Sequence, residues 1–319
     1  MKAAVVEGYG GIDRLHVVEV PDPVPREGEV VVEVRAAGLN YSDVLQRKGT
    51  YYGGPLPPFT PGVEAAGVVM KPAPGADVGE AVMVVSERGL HAERAVVPAK
   101  QCIPLPPTLD FVCGAGFPVA YLTAYHAIAQ VARARAGETL VVHAGGGGLG
   151  TAAVQIGKAL GLTVVALASM EEKRKRLRDL GADVAVDYPE LESAVADRTS
   201  GAGAGIVLAT VGGRVFQRSL VCLAPFGRVI LAGALGEPPG IDLTRLIHDS
   251  KQVLGVHLRG LLRAEPLRRE ALERLSLWLS EGRIRVQVGH EMPLDGIRAA
   301  HELLESRMSF GKIVLVPSK

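Results

Sequence analysis

The sequence predicts an α/β protein, in which a doubly wound, six-stranded parallel sheet is inserted into a smaller β-rich domain. Three observations carry this reading. A glycine turn joins an apolar strand to a helix within residues 139–161. From about residue 118, short apolar runs alternate with helix-like segments. The first hundred residues, by contrast, read as strands and turns.

In that first part, the runs 2–7, 15–20, 29–37, 64–70, 81–86 and 92–97 are rich in Val and Ala. Clusters such as Pro21-Asp-Pro23-Val-Pro25 and Gly53-Gly-Pro55-Leu-Pro57-Pro58 separate them. The spacing predicts a compact, partly closed β-domain. Strands at 139–144, 162–168, 183–187, 205–211, 226–232 and 252–258 follow. They alternate with helices at 149–160, 171–180, 190–198, 213–223 and 242–249. Six strands and five crossovers give a doubly wound Rossmann sheet. Amphipathic helices at 266–280 and 293–307 and a strand at 312–316 complete the chain. The domains are expected at 1–115 with 262–319, and at 116–261.

The glycine turn reads Thr139-Leu-Val-Val-His-Ala-Gly-Gly-Gly-Gly-Leu-Gly150. Gly145, Gly147 and Gly150 fit the G-x-G-x-x-G pattern, followed by a second buried strand within about thirty residues. One glycine permits the tight turn, one lets backbone approach a pyrophosphate, and one lets helix and strand pack closely. The N–H groups around Gly148 and Leu149 open the helix, where the dipole favours an anion.

An acidic residue at the end of the second strand would take the ribose hydroxyl of NAD. Here the strand ends Leu167-Ala168-Ser169, without an acid. Ser169 offers a hydroxyl, and Lys173 a point charge for a 2′-phosphate. NADPH is therefore the expected cofactor. Glu171 and Glu172 either complement the helix dipole or approach the ribose.

A net charge of +1 gives no global field for nucleic acid or anionic membrane, so neither is an expected partner. No apolar run reaches eighteen residues, and the start lacks a signal-peptide layout, so a cytoplasmic enzyme is expected. Cys102, Cys113 and Cys222 form neither a disulfide framework nor a C-x-x-C metal cluster.

The segments Ala36-Ala-Gly-Leu-Asn40-Tyr-Ser-Asp43, Pro61-Gly-Val-Glu64-Ala-Ala-Gly67, Thr123-Ala-Tyr125, the glycine turn and Gly311-Lys-Ile-Val-Leu315 occur in a telling order. In this the chain resembles the medium-chain dehydrogenases/reductases, nearest the quinone oxidoreductase (zeta-crystallin-like) branch. The resemblance implies a GroES-like first domain. The zinc ligands of the alcohol dehydrogenases in that superfamily are replaced here by Asn40 and Val63. A valine offers no ligand, so no metal is expected.

The resemblance also implies site roles. Asn40 and Tyr51 match positions beside the nicotinamide, and Thr123 matches a cofactor-contacting threonine. Ser169, Lys173 and Tyr188 match the 2′-phosphate group. Leu45 stands where some quinone reductases carry a tyrosine. Thr210 and Gly233 fall near the nicotinamide edge. Asp43 and Glu64 read as residues that hold loops, and His143 as a core histidine.

The expected reaction is hydride transfer from NADPH to a quinone or an α,β-unsaturated carbonyl, with Asn40 and Tyr51 as hydrogen-bond donors. The proton comes from Tyr51 or solvent. Two alternatives stand beside it. One is an enoyl-thioester reductase, with Arg47, Lys48 and Arg263 as candidates for a basic mouth. The other is an NADPH-binding protein with little turnover. A homodimer through the edge strand near 252–258 is expected.

Overall fold

The computed structural model describes residues 1–235, 241 and 243–317. They form two compact units, Met1–Val119 with Val286–Lys319, and Ala120–Arg285. The second unit extends further than the expected 116–261. The helix Glu265–Ser280 belongs to it through side-chain contacts that no periodicity reveals. Trp278 meets Tyr125 edge-on at 5.8 Å between ring centroids, and the Tyr125 hydroxyl donates to Glu270 at 2.9 Å. Gln155 then bonds both the N–H and the carbonyl of Arg285.

Seven strands of the first unit share one sheet. Val288–Pro293, Lys312–Val316, Glu29–Leu39, Glu64–Lys71, Ala81–Val85 and Cys102–Pro104 lie side by side in that order, and Arg94–Pro98 also pairs with Glu29–Leu39. Lys2–Val6 and Leu15–Glu19 form a separate antiparallel pair. Alternate residues point into the core, so Val30, Val32 and Val34 pack with Ala65, Val69, Val82 and Val84.

Two elements of this unit differ from the sequence expectation. Tyr41–Lys48 is a helix, hidden by its polar composition and begun where the Asp43 carboxylate accepts the Asn40 N–H at 2.8 Å. The expected helix at 293–307 is shorter, Ile297–Glu305. The strand Val288–Pro293 precedes it because those residues find a parallel partner in Lys312–Val316.

In the second unit the strand order is Val184–Val186, Thr163–Leu167, Thr139–Val142, Ala204–Val211, Leu223–Leu235, Gln252–Gly255, all parallel. Counted along the chain this is 3-2-1-4-5-6, with the direction of winding reversing at the first strand. These strands are apolar on both faces, as a sheet covered on both sides requires. The connecting helices are Gly148–Ala159, Glu171–Asp179, Leu191–Thr199, Gly213–Cys222 and Leu243–His248. Residue 242, the expected start of the last of these, lies outside the described residues.

The sixth strand stops at Gly255 instead of running to 258. His257 ends it by accepting the Arg259 N–H on Nδ1 at 3.1 Å, which starts the helix Leu258–Arg263. Among the described residues no helix is long and apolar enough to cross a membrane.

Candidate active site

The parallel sheet gathers most of the expected cofactor residues at one edge. Gly145–Gly150 follow the first strand, Ser169 the second and Tyr188 the third, while Thr210 and Gly233 lie near the ends of the fourth and fifth. This is the carboxyl edge at the reversal point, where ligands bind in such sheets. Thr123 is buried on the helix Pro118–Tyr125.

The glycines divide their work unequally. A Cβ on Gly150 would stand 2.3 Å from the Ala144 carbonyl oxygen, and one on Gly145 would stand 3.0 Å from Leu177. Both therefore serve close packing of turn, helix and neighbouring strand. A Cβ on Gly147 would meet nothing nearer than the Ala144 carbonyl oxygen at 3.4 Å, an ordinary contact, so packing leaves room there. Gly147 caps the helix, and the N–H groups of Gly148, Leu149 and Gly150 have no acceptor one turn back within it. The residue in the left-handed region is Ala144, at φ +46°, with its N–H donated to the Tyr188 hydroxyl at 3.2 Å.

Ser169 is exposed at the end of the second strand, and Lys173 is half-buried in the first turn that follows. Burial pulls the Lys173 ammonium below its ordinary pKa, partly offset by Glu172. Glu171 is engaged by its own helix, accepting from Arg174 at 2.8 Å and Arg178 at 2.5 Å. Arg174 was not legible as a site residue. Its guanidinium also donates to the Ala168 and Ser169 carbonyls, both at 3.0 Å, and so braces the strand end with a positive charge.

Two observations test whether a nicotinamide dinucleotide fits this edge. Thr210 Oγ1 is buried with no hydrogen-bond partner among the described residues, an orphan that a carboxamide would satisfy. Gly233 is exposed, and a Cβ there would meet nothing closer than the Thr210 carbonyl at 3.9 Å. The residues fit the group.

In the first unit, sheet register builds a second polar centre. Ile313 lies opposite Leu39 and Val314 opposite Gly38, while Gly38 lies opposite Glu64 on its other side. Asn40, the next residue along, is thereby held between Glu64 and Lys312. The Lys312 ammonium donates to Glu64 Oε1 at 2.6 Å, Asn40 Oδ1 at 2.7 Å and the Leu39 carbonyl at 3.0 Å. Glu64 Oε2 accepts the Val119 N–H at 2.8 Å. Glu64 is fully buried and Lys312 is 4% exposed.

The Asn40 amide is thus engaged at both ends. It donates to Glu64 Oε1 at 2.8 Å and, more loosely, to the Gly38 carbonyl at 3.3 Å. His91 Nε2 donates to the same carbonyl at 3.3 Å, and burial holds His91 neutral, with its pKa lowered to about 4. Asp43 ties loops together, bonding the Asn40 and Gly62 N–H groups at 2.8 and 3.2 Å.

Tyr51 is half-buried, with its N–H on the Leu45 carbonyl at 3.2 Å. That contact lies on the helix Tyr41–Lys48 at Leu45, five residues from Asn40 and about 7.5 Å along the axis at 1.5 Å per residue. The helix thus separates the backbones of the two expected donors. Arg47 and Lys48 both pair with Glu305; Arg47 is 1% exposed, whereas Lys48 is exposed. His143 donates to Ser219 Oγ at 2.7 Å, which itself donates to the Val215 carbonyl at 2.9 Å. It is a neutral core histidine, its pKa lowered to about 4 by burial.

Zinc does not fit the Asn40 centre. Val63 has no donor atom, and the oxygens of Glu64 and Asn40 already hold an ammonium. Among the described residues no three His, Cys, Asp or Glu side chains gather as a metal site. Lys312 was missed at the sequence level. Its signal was a lone lysine opening the apolar run Lys312-Ile-Val-Leu-Val316.

A parallel dinucleotide-binding unit set into a β-rich unit of this topology defines a medium-chain dehydrogenase/reductase. The family described as alcohol dehydrogenase GroES-like domain matches residues 26–107, and that described as zinc-binding dehydrogenase matches 148–276. Quinone oxidoreductase of Rattus norvegicus is 31% identical over 99% of this chain and 98% of its own length. The quinone oxidoreductase of Thermus thermophilus, solved also with NADPH, is 38% identical with a TM-score of 0.88 over 99% and 100% of the two chains. Escherichia coli quinone oxidoreductase complexed with NADPH gives 29% and 0.92 over the same shares. CurK enoyl reductase gives 25% and 0.88 over 99% of each chain. The chain belongs to the quinone oxidoreductase branch of this oxidoreductase superfamily.

Proposed function

We propose that this chain is a zinc-independent, NADPH-dependent oxidoreductase acting on quinones or α,β-unsaturated carbonyls. One observation carries the reading. An acid-free second-strand end with Ser169 and Lys173, and Tyr188 after the third strand, coexists with an Asn40 centre whose oxygens hold an ammonium. The first suits a 2′-phosphate, and the second leaves no place for a Lewis acid, so the acceptor must already be electrophilic. The NADPH-complexed relatives from T. thermophilus and E. coli support the cofactor.

When bound, NADPH supplies the hydride from C4 of its nicotinamide. The N–H groups of Gly148, Leu149 and Gly150 face its pyrophosphate beside Gly147. Ser169, Lys173 and Tyr188 hold the 2′-phosphate, with Arg174 bracing the strand end. Thr123, Thr210 and Gly233 position the nicotinamide.

Asn40 meets charge developing on the acceptor's oxygen with the amide hydrogen that now rests on Gly38. A 3.3 Å contact is near the limit of a hydrogen bond, and the charge-assisted bond replacing it is about twice as strong. Tyr51 is the second donor, and the proton comes from it or from solvent. The protein works as a cytoplasmic homodimer joined along Gln252–Gly255, an edge strand of its sheet.

Similarity to CurK enoyl reductase favours a second reading, reduction of an enoyl thioester. Of the three cations suggested for its phosphate, Arg47 is buried against Glu305, while Lys48, paired with the same carboxylate, and Arg263 are exposed. The deciding experiment follows NADPH and NADH oxidation by purified protein against quinones, enones and enoyl-CoAs, with and without a chelator. Chelator-resistant turnover of quinones or enones with NADPH is expected. Turnover of enoyl-CoA alone would favour the second reading, and NADPH binding without consumption would refute both.

A further inference from the structure

We infer that Lys312 is a positioning residue for the reaction, orienting and polarising the Asn40 amide toward the acceptor. This rests on the reading above, in which Asn40 donates to the acceptor's oxygen. Among the described residues the ammonium spends its three N–H groups on Glu64 Oε1, Asn40 Oδ1 and the Leu39 carbonyl. An ammonium carries three donors and no acceptor, so only the amide's oxygen can face it. Glu64 Oε1, an acceptor, fixes the opposite end by taking one Nδ2 hydrogen at 2.8 Å. The amide therefore has one orientation, and its second Nδ2 hydrogen is the weakly held one.

The charge adds to the geometry. A cation on Oδ1 draws electron density from the amide and makes its N–H groups stronger donors, the cooperative effect of a chain of hydrogen bonds. Burial keeps solvent from screening it, since Lys312 and Glu64 are almost inaccessible. The sheet sets this up at long range. Lys312 lies 272 residues from Asn40, and the Ile313–Leu39 pairing places them side by side. A pair serving only the fold has no need of a third contact to a partly exposed amide.

The test is the double variant Lys312→Met/Glu64→Gln, which removes both charges together and leaves neither ion buried alone. Its thermal melting, NADPH affinity by fluorescence and kcat with 1,4-benzoquinone are measured beside Asn40→Ala. The expected result is a near-native melting temperature, unchanged NADPH affinity and a kcat lowered roughly ten- to a hundredfold. Combining the double variant with Asn40→Ala is expected to lower kcat no further than Asn40→Ala does.

Native kcat in the double variant, with Asn40→Ala impaired, overturns the role of Lys312 alone. Native kcat in Asn40→Ala overturns the reading of Asn40 and this inference with it. The wild-type NADPH complex provides a check that needs no variant. The Asn40 side-chain amide is expected to give two sharp, inequivalent ¹⁵N–¹H signals that exchange slowly, and rapid averaging of the pair overturns the inference.

Discussion

The hydroxyl of Tyr188 accepts the N–H of Ala144 at 3.2 Å, so the third strand's end supports the turn that leaves the first. Ala144 sits at φ +46°, a region that disfavours a residue with a Cβ. Tyr188→Phe keeps the ring and leaves that N–H without its acceptor. The expected cost is about 1 kcal/mol of stability, read by denaturant titration, with weaker NADPH binding by fluorescence. An unchanged NADPH affinity would separate Tyr188 from the cofactor site.

Lys173→Ala is expected to raise the KM for NADPH roughly ten- to a hundredfold and to leave that for NADH nearly unaltered, as loss of a charge-assisted bond predicts. Steady-state kinetics with each cofactor measure the difference. Equal effects on both would take Lys173 out of the 2′-phosphate site.

Gly150→Ala places a methyl group 2.3 Å from the Ala144 carbonyl oxygen, a backbone atom with little room to yield. The helix must move off the turn, at an expected cost of about 1–3 kcal/mol. Melting temperature and NADPH affinity should fall together. Gly147→Ala brings its methyl group only into ordinary contact with the Ala144 carbonyl oxygen, at 3.4 Å, and is expected to melt near the wild type while still weakening NADPH binding. A stable Gly150→Ala protein with native affinity would contradict the assignment of the two glycines.

Buried histidines set the response to acid. Burial lowers His91 and His143 to about 4 and drives His301 well below its ordinary value. The unfolded chain binds protons at these residues below about 6.5 while the folded chain does not, so their contribution to stability rises with pH across that window. Asp43 opposes them. Burial raises it to about 7, so the folded state holds a proton that the unfolded state has released, and stability falls as pH climbs from about 4 to 7. Three groups outweigh one, and the melting temperature is expected to rise between pH 4.5 and 6.5. Asp43→Asn should steepen the rise; a flat profile in both proteins would refute the account.

Much of the second unit was legible because its signals are local. Apolar runs at 139–144 and 162–168 must be covered on both sides, and glycine spacing reports a turn that a Cβ would block. The helix Tyr41–Lys48 was not legible, since a polar segment with Val44 and Leu45 as its only aliphatic residues shows no apolar stripe. Strand 288–293 was missed for a related reason, because exposed residues such as His290 and Glu291 gain strand geometry from a neighbour. The residues proposed for the 2′-phosphate came from one missing acid and one lysine, but Arg174 was hidden among the charges of its helix.

Alone, the sequence determined the architecture, the strand count of the dinucleotide unit and the absence of the usual zinc-ligand residue types at positions 40 and 63. Those properties follow from periodicity, glycine stereochemistry and side-chain chemistry, which a residue carries wherever the chain goes. Only the tertiary structure decided which polar groups are already spent. Lys312 on Asn40, Glu305 on Arg47 and Arg178 on Glu171 are choices of partner. Two of those pairs are joined across hundreds of residues by strand register and helix packing, and the third by one helix's own turns.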